Sequence, residues 1–236
     1  MRRPTFLAPL ALAASLPCAA ADFGDIANLA QDEFRAMSRD VGAAFAYKGV
    51  TPATALGPLG FDIGIEVTAT RMEHSSLFAR AGAGSQSELV IPKIHLHKGL
   101  FGGLDVGAFV AGVPDFDGRL YGADIRYTFI DDSLTTPALG FRVSFTQSDG
   151  LGAFDVGTAA VDLMLSKRFT ALTPYVGAGM VRIRSSADGT GLAEERIDQS
   201  RVFGGLNVNL LAVNLAFEAE KMGDNVSLSA KLGWRF

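Results

Sequence analysis

The stretch "NVSLSAKLGWRF", residues 225–236, puts Val226, Leu228, Ala230, Leu232, Trp234 and Phe236 on every second position, with Asn225, Ser227, Ser229, Lys231, Gly233 and Arg235 between them. A period of two is that of a β-strand with one apolar and one polar face. Two architectures satisfy it. With the apolar face inward, the segment closes a water-soluble barrel; with that face outward, it is a stave of a barrel standing in lipid. The rest of the chain has to decide between them.

The first residues carry the marks of an export signal: Arg2 and Arg3, a mostly apolar run from Phe6 to Leu16, and the small residues Ala19-Ala20-Ala21 for cleavage. Residues 1–21 are therefore read as a signal peptide. Cys18 stands where a lipobox cysteine would, but Pro17 precedes it in place of a small residue, which disfavours a lipid anchor. Removing the signal takes away two arginines and no acid, so the net charge moves from -4 to -6, which excludes a nucleic-acid binder by charge. Cys18 is the only cysteine, so the mature chain holds neither a disulfide nor a thiolate metal site. No later apolar run approaches the roughly 18 to 20 residues of a membrane helix, and a membrane-spanning mature chain must cross with strands.

Residues 24–40 differ from the rest of the mature chain, because Ile26, Ala30, Phe34, Met37 and Val41 recur at helical spacing. The stretch Gly49 to Gly57, with Pro52 and Pro58, reads as a linker. From Gly60 the period becomes two, most plainly in "FDIGIEVTAT", residues 61–70. Comparable segments at 59–72, 87–98, 103–113, 118–129, 137–147, 154–166, 172–184, 200–210, 213–221 and 225–236 predict ten strands. Apolar residues switch from even positions (Val202, Leu206, Val208, Leu210) to odd ones (Val213, Leu215, Phe217), which places a tight turn at Leu211-Ala212. Most segments match the roughly 9 to 11 residues that cross a bilayer at a tilt and exceed the roughly 5 to 6 of soluble strands. Connections on one side are mostly short and those on the other mostly longer, as in membrane barrels. An even count brings both barrel termini to the periplasm. An extra strand at Val41 to Tyr47 would make the count odd, so residues 22–58 are placed outside the wall, beneath the barrel or in its lumen as a plug, and residues 59–236 form the barrel. A count of twelve is the alternative.

The polar face carries Asp62, Glu66, Lys93, His95, His97, Asp105, Asp124, Arg126, Arg142, Asp162, Arg182, Arg201, Glu218, Lys231 and Arg235. The opposite face has Phe61, Phe129, Phe141, Tyr175 and Trp234 near one set of strand ends, and Tyr121 and Phe145 near the other, the arrangement of two aromatic girdles. The last strand resembles the assembly signal of bacterial outer-membrane β-barrel proteins, a terminal aromatic preceded by hydrophobic residues at alternate positions. Phe236 and Trp234 take the aromatic places, with Leu232, Ala230, Leu228 and Val226 continuing the series. One departure is Lys231, where glycine is frequent. The resemblance implies an all-β antiparallel transmembrane barrel in the outer membrane of a Gram-negative cell, with outer-membrane lipid and the barrel-assembly machinery as partners. It implies no cofactor.

Lys93, His95 and His97 share one strand face, with Asp62 and Glu66 on the preceding strand. If the next turn centres near Phe101, His97 sits opposite Asp105. Two imidazoles and a carboxylate suit a metal, but a salt-bridged luminal network of Asp62, Glu66, Lys93, His95, His97, Asp105, Arg126 and Arg142 is the favoured reading, since paired charges are how buried ions are tolerated. His74-Ser75-Ser76 resembles the His-x-Ser arrangement of outer-membrane lipid hydrolases, yet His74 and Ser76 continue the luminal face or lie in the loop beyond, the wrong direction for lipid. An omptin-type protease would need a rim acid pair, for which Asp115 and Asp117 are candidates, with only His74 near. The near balance of luminal charge predicts a narrow interior, with wide channels belonging to barrels of roughly 16 strands. The expected function is non-enzymatic: a narrow passage for a small solute gated by the N-terminal segment, or a structural or surface-interaction barrel. "SSADGTGLAEERIDQ", residues 185–199, reads as a mobile extracellular tip.

Overall fold

The computed structural model describes residues 23–113, 116–211 and 213–236. The signal-peptide reading, Asp115 and the turn residue Ala212 lie outside them. Among the described residues, ten strands form one closed antiparallel barrel: β1 (Phe61–Arg71), β2 (Glu88–Gly99), β3 (Leu104–Gly112), β4 (Arg119–Ile130), β5 (Ala138–Asp149), β6 (Phe154–Ser166), β7 (Leu172–Ala187), β8 (Glu195–Leu210), β9 (Val213–Met222) and β10 (Asn225–Arg235). Each strand pairs with its neighbour in sequence, and β1 closes on β10 with Asp62 opposite Arg235 and Thr70 opposite Ser227. Closure removes both sheet edges, which hydrocarbon demands, because an unpaired backbone amide has no water there to bond.

The faces fall as lipid requires. Along β10, Leu228 is 61% and Trp234 58% exposed, whereas Lys231 on the alternate face is 2% exposed. The same phase holds for Ile63, Ile65 and Val67 of β1, Ile94 and Leu96 of β2, Phe141 and Phe145 of β5, and Val161 and Leu163 of β6, all outward and exposed. A continuous band of outward aliphatic and aromatic side chains around a polar interior is the transmembrane arrangement.

Strand β7 corrects the sequence reading. Tyr175, expected in the lipid-facing girdle, points inward and is buried, while Arg182, expected in the lumen, is outward and exposed. The cause lies in what the strand faces along its length. Its outer half packs Val181 and Ile183 against an apolar filling of the lumen, so the inward face is greasy where the outward face is polar, and alternation there gives the opposite phase. The supposed loop 185–199 is likewise mostly strand. β7 runs to Ala187 and β8 starts at Glu195, with Ile183 opposite Ile197 inside and outward ion pairs Arg182–Asp198 at 2.7 Å and Arg184–Glu194 at 3.0 Å. The turn after β2 is also shifted: it pairs His97 with Gly107 and Gly99 with Asp105, so His97 does not face Asp105.

Helix α1 (Gln31–Phe45) and an extended segment after it occupy the lumen. The helix begins where Glu33 reaches back to accept the Ala30 N–H at 2.9 Å, and Asp32 and Glu33 complement the positive end of its dipole. Its predicted range, 24–40, lay too early, because residues 26–28 form a separate 3-10 turn and the helix continues to Phe45. Phe34, Met37, Val41 and Phe45 pack against Ile91, Phe109, Leu120, Val156 and Ile183 of the wall, filling one half of the barrel with a dry core. Gly42 lies so close to Ile183 that an added Cβ would collide with its Cδ1.

The segment has a direction. At one mouth Phe23 stacks on Phe116 at 5.1 Å and meets Phe154 edge-on at 4.8 Å, beside the longer connections between strands. At the other, Gly60 accepts the Gly99 N–H at 3.0 Å and Phe61 packs on Phe236. Residues 23–60 thus run through the barrel from the long-loop mouth to the end that holds the C-terminus.

Candidate functional site

Below the dry core, the lumen turns polar where α1 ends at Phe45 and the chain becomes extended. Tyr47 and Lys48 of this segment enter the wall's charges. The Tyr47 hydroxyl donates to Asp124 at 2.6 Å and lies 3.0 Å from His97 Nε2, while its carbonyl accepts from Arg201 at 2.8 Å. Lys48 Nζ donates to the Ala43 carbonyl at 2.7 Å and stands 3.3 Å from Glu220. Thr51 accepts from Arg126, and the Leu56 N–H donates to Asp105 at 3.1 Å.

The eight luminal residues predicted from the strand pattern, Asp62, Glu66, Lys93, His95, His97, Asp105, Arg126 and Arg142, are all buried, at 1–3% exposure. They fall into separate clusters. Asp105 takes Arg126. Asp62 gathers Lys231 at 2.7 Å, His95 at 3.3 Å and Arg235 at 3.4 Å. Glu66 binds Lys93 at 2.9 Å, with Thr68 donating to the same carboxylate. Arg142 shares Asp162 with Arg201, and its guanidinium lies over the rings of Tyr47 and Phe203. Removing so many ions from water is costly, and mutual pairing offsets the cost. Sequence reasoning missed Tyr47, Lys48, Thr51 and Glu220. Tyr47 ends the stretch weighed as an extra strand and Lys48 and Thr51 lie in the linker beyond it, and only the threading of this segment through the barrel makes them partners.

Some groups keep unused capacity. His95 Nδ1, His97 Nδ1, Arg142 Nη1, Glu218 Oε1 and Asn207 Oδ1 are buried without a hydrogen bond. Gly49 lets the plug pass under Arg142, since a Cβ there would collide with its Nη1. Asp62, His95 and His97 offer one donor atom each within 4.8 Å of one another.

The outer mouth is tied differently. Arg80 of the short helix α2 (Ser75–Arg80) pairs with Glu33 of α1, and Arg35 with Glu195 of β8. The Arg80 guanidinium, with help from the Ala30 N–H, holds the Glu33 carboxyl below its ordinary range. His74 caps α2, and both its backbone N–H, at 2.7 Å, and its Nδ1, at 3.2 Å, go to the buried Asp40 of α1, which Asn225 also bonds. Ser76 is exposed on α2, and the contacts of His74 tie it to the plug and not to that serine. Asp117 is exposed at the rim.

At the inner mouth the residues of the C-terminal signature divide. Leu232 and Trp234 face outward, and the Phe236 ring sits 4.0 Å from that of Phe61, at the seam where β10 closes on β1. A closed wall, an outward apolar band and an ion-paired interior decide the class. The fold is a transmembrane β-barrel of the outer-membrane type. No protein-family model matches the sequence of this barrel, and no curated protein matches it. Among solved structures, Neisserial surface protein A matches at 15% identity over 74% of this chain and 95% of that one, with a TM-score of 0.33. The attachment invasion locus protein Ail of Yersinia pestis matches at 14% identity over 75% and 97%, with a TM-score of 0.28. The β domain of the Bordetella autotransporter BrkA matches at 9% identity over 75% and 97%, with a TM-score of 0.43.

Proposed function

We propose that this is a non-enzymatic integral protein of the outer membrane whose lumen is held shut by its own residues 23–58, and which passes a small solute only when that segment moves. In this reading residues 1–21 direct export, and β10, through Leu232, Trp234 and Phe236, presents the strand to the barrel-assembly machinery. Outer-membrane lipid covers the apolar band. One observation carries the gating: the plug completes the wall's electrostatics, because Lys48 faces Glu220 at 3.3 Å and the Tyr47 carbonyl takes Arg201 at 2.8 Å. Moving the plug would leave a narrow channel lined by both signs of charge.

The test is conductance in planar bilayers. The native chain should be nearly silent, and Gly49→Val, which drives a side chain into Arg142, should conduct while the barrel stays folded. A silent, folded Gly49→Val barrel whose plug has become protease-accessible would remove the passage. It would favour the second reading, a surface scaffold, which draws support from the lid at the outer mouth built from Phe23, α1, α2 and Glu195.

A further inference from the structure

The buried acids of the wall are paired, with one exception. Asp62, Glu66, Asp105, Asp162 and Glu220 each have a lysine or arginine in ion-pair range, and Asp124 has His97. Glu218 of β9 has none among the described residues. It is 4% exposed, its Oε1 is buried without a hydrogen bond, and the Tyr175 hydroxyl stands 2.9 Å from Oε2. The charged groups that face it are engaged elsewhere. On its own strand Glu220 has Lys48 and Arg201; on β10 Lys231 is bound to Asp62 at 2.7 Å; on β1 Glu66 is bound to Lys93 at 2.9 Å. Arg142 of β5 sets one terminal nitrogen 3.0 Å from Asp162, while its Nη1 is buried without a bond where Gly49 of the plug passes.

A carboxylate in a dry place with no cation of its own is the costliest form of this side chain, and taking up a proton removes that cost. The acid form also suits the one contact available. A carboxylic acid O–H donates to the Tyr175 oxygen, and the Oε1 left over is then a neutral carbonyl. An unpaired neutral oxygen costs far less than an unpaired charge. We infer that Glu218 is a proton-binding site of the closed barrel, which carries a proton while the plug is seated and releases it to water when the plug leaves. The seated plug keeps the site dry, because its Ala53 packs with Tyr175, the residue bonded to Glu218. Its departure admits water and frees Arg142 from Gly49 and from the Tyr47 ring, which lies 5.7 Å from the guanidinium. A hydrated carboxyl facing a mobile guanidinium then ionises. By reciprocity, loss of the proton favours the unseated plug. The coupling rests on the plug's movement, and the proton in the closed state does not.

The test is infrared difference spectroscopy of the full chain at neutral pH in an ester-free detergent, which separates the carbonyl stretch of a carboxylic acid from the bands of carboxylates. The native chain should show one acid band. Glu218→Gln, which keeps the shape of the neutral acid, should lose it, and Glu220→Gln, whose carboxylate is paired, should keep it. Gly49→Val, with its plug protease-accessible, should lose the band as well, and Ala53→Leu is a second way to unseat the same segment. No acid band in the native chain, or one that survives Glu218→Gln, overturns the site. A band that persists after the plug has been released in either variant overturns the coupling. Neither result is the one that removes the passage, which is silence in planar bilayers.

Discussion

Lys48 of the plug stands 3.3 Å from Glu220 of β9, and both side chains are sealed from solvent. The pair joins a segment that is not part of the sheet to the wall around it. Neither ion has water to fall back on.

Lys48→Met therefore removes one partner of a buried pair and leaves a carboxylate whose remaining cation, Arg201, lies 3.5 Å away. Breaking such a pair costs about 3 kcal/mol, whereas replacing both ions by neutral groups is often close to neutral. The urea midpoint of the folded protein in detergent should fall for Lys48→Met and recover in large part for Lys48→Met with Glu220→Gln. A double variant as unstable as the single one would mean that the two residues act separately.

The direction of the plug has a consequence for the cell surface. Phe23 lies at the long-loop mouth against Phe116 and Phe154, while Phe61 and Phe236 meet at the opposite end. Long loops face outward in barrels of this type. An epitope inserted immediately before Phe23 should bind antibody on intact cells, and one appended after Phe236 should bind only after the outer membrane is permeabilised. Reversal of that pattern would turn the barrel over.

The C-terminal signature can now be divided by role. Phe236 packs on Phe61 at the seam, and Trp234 is turned to lipid, whereas Arg235 reaches inward to Asp62. Deleting Phe236 should slow insertion into outer-membrane vesicles supplied with assembly machinery. Arg235→Ala should insert at nearly the native rate and show its defect afterwards, as a lower unfolding midpoint. Equal insertion rates for the two variants would remove Phe236 from the recognition step.

How much of this could be read in advance depended on what each strand faces. β10 was legible throughout, because Val226 to Trp234 meet lipid along the strand's length and Ser227 to Lys231 meet the polar lumen, so one period carries one meaning. β7 was not, because the lumen it lines changes from polar at Tyr175 to apolar at Ile183, and a residue's polarity no longer reports its side. Asp62, His95 and His97 could be found together from alternation and strand order. Tyr47, Lys48 and Asp40 could not, because their partners, Asp124, Glu220 and His74, lie 34 to 172 positions away in sequence and are met only through threading.

The lid should respond to acid through Glu33. Its carboxyl is held below the ordinary range by Arg80, so the folded protein binds this proton less readily than the unfolded chain does. The sign comes from linkage: a carboxyl depressed in the folded state contributes stability above its unfolded pKa, about 4.3, and that contribution is lost as pH falls through the folded value. The Glu33 side chain is also the acceptor for the Ala30 N–H, so its protonation loosens the start of α1 as well as its tie to α2. The pair is solvent-facing, and the effect belongs to local opening more than to the barrel's global stability. Amide exchange at Ala30 should accelerate, relative to the intrinsic rate, as pH falls below the range in which an ordinary glutamate titrates. Glu33→Gln should show the faster exchange already at neutral pH and no further acid step, and an acid step that persists in this variant would assign it to another group.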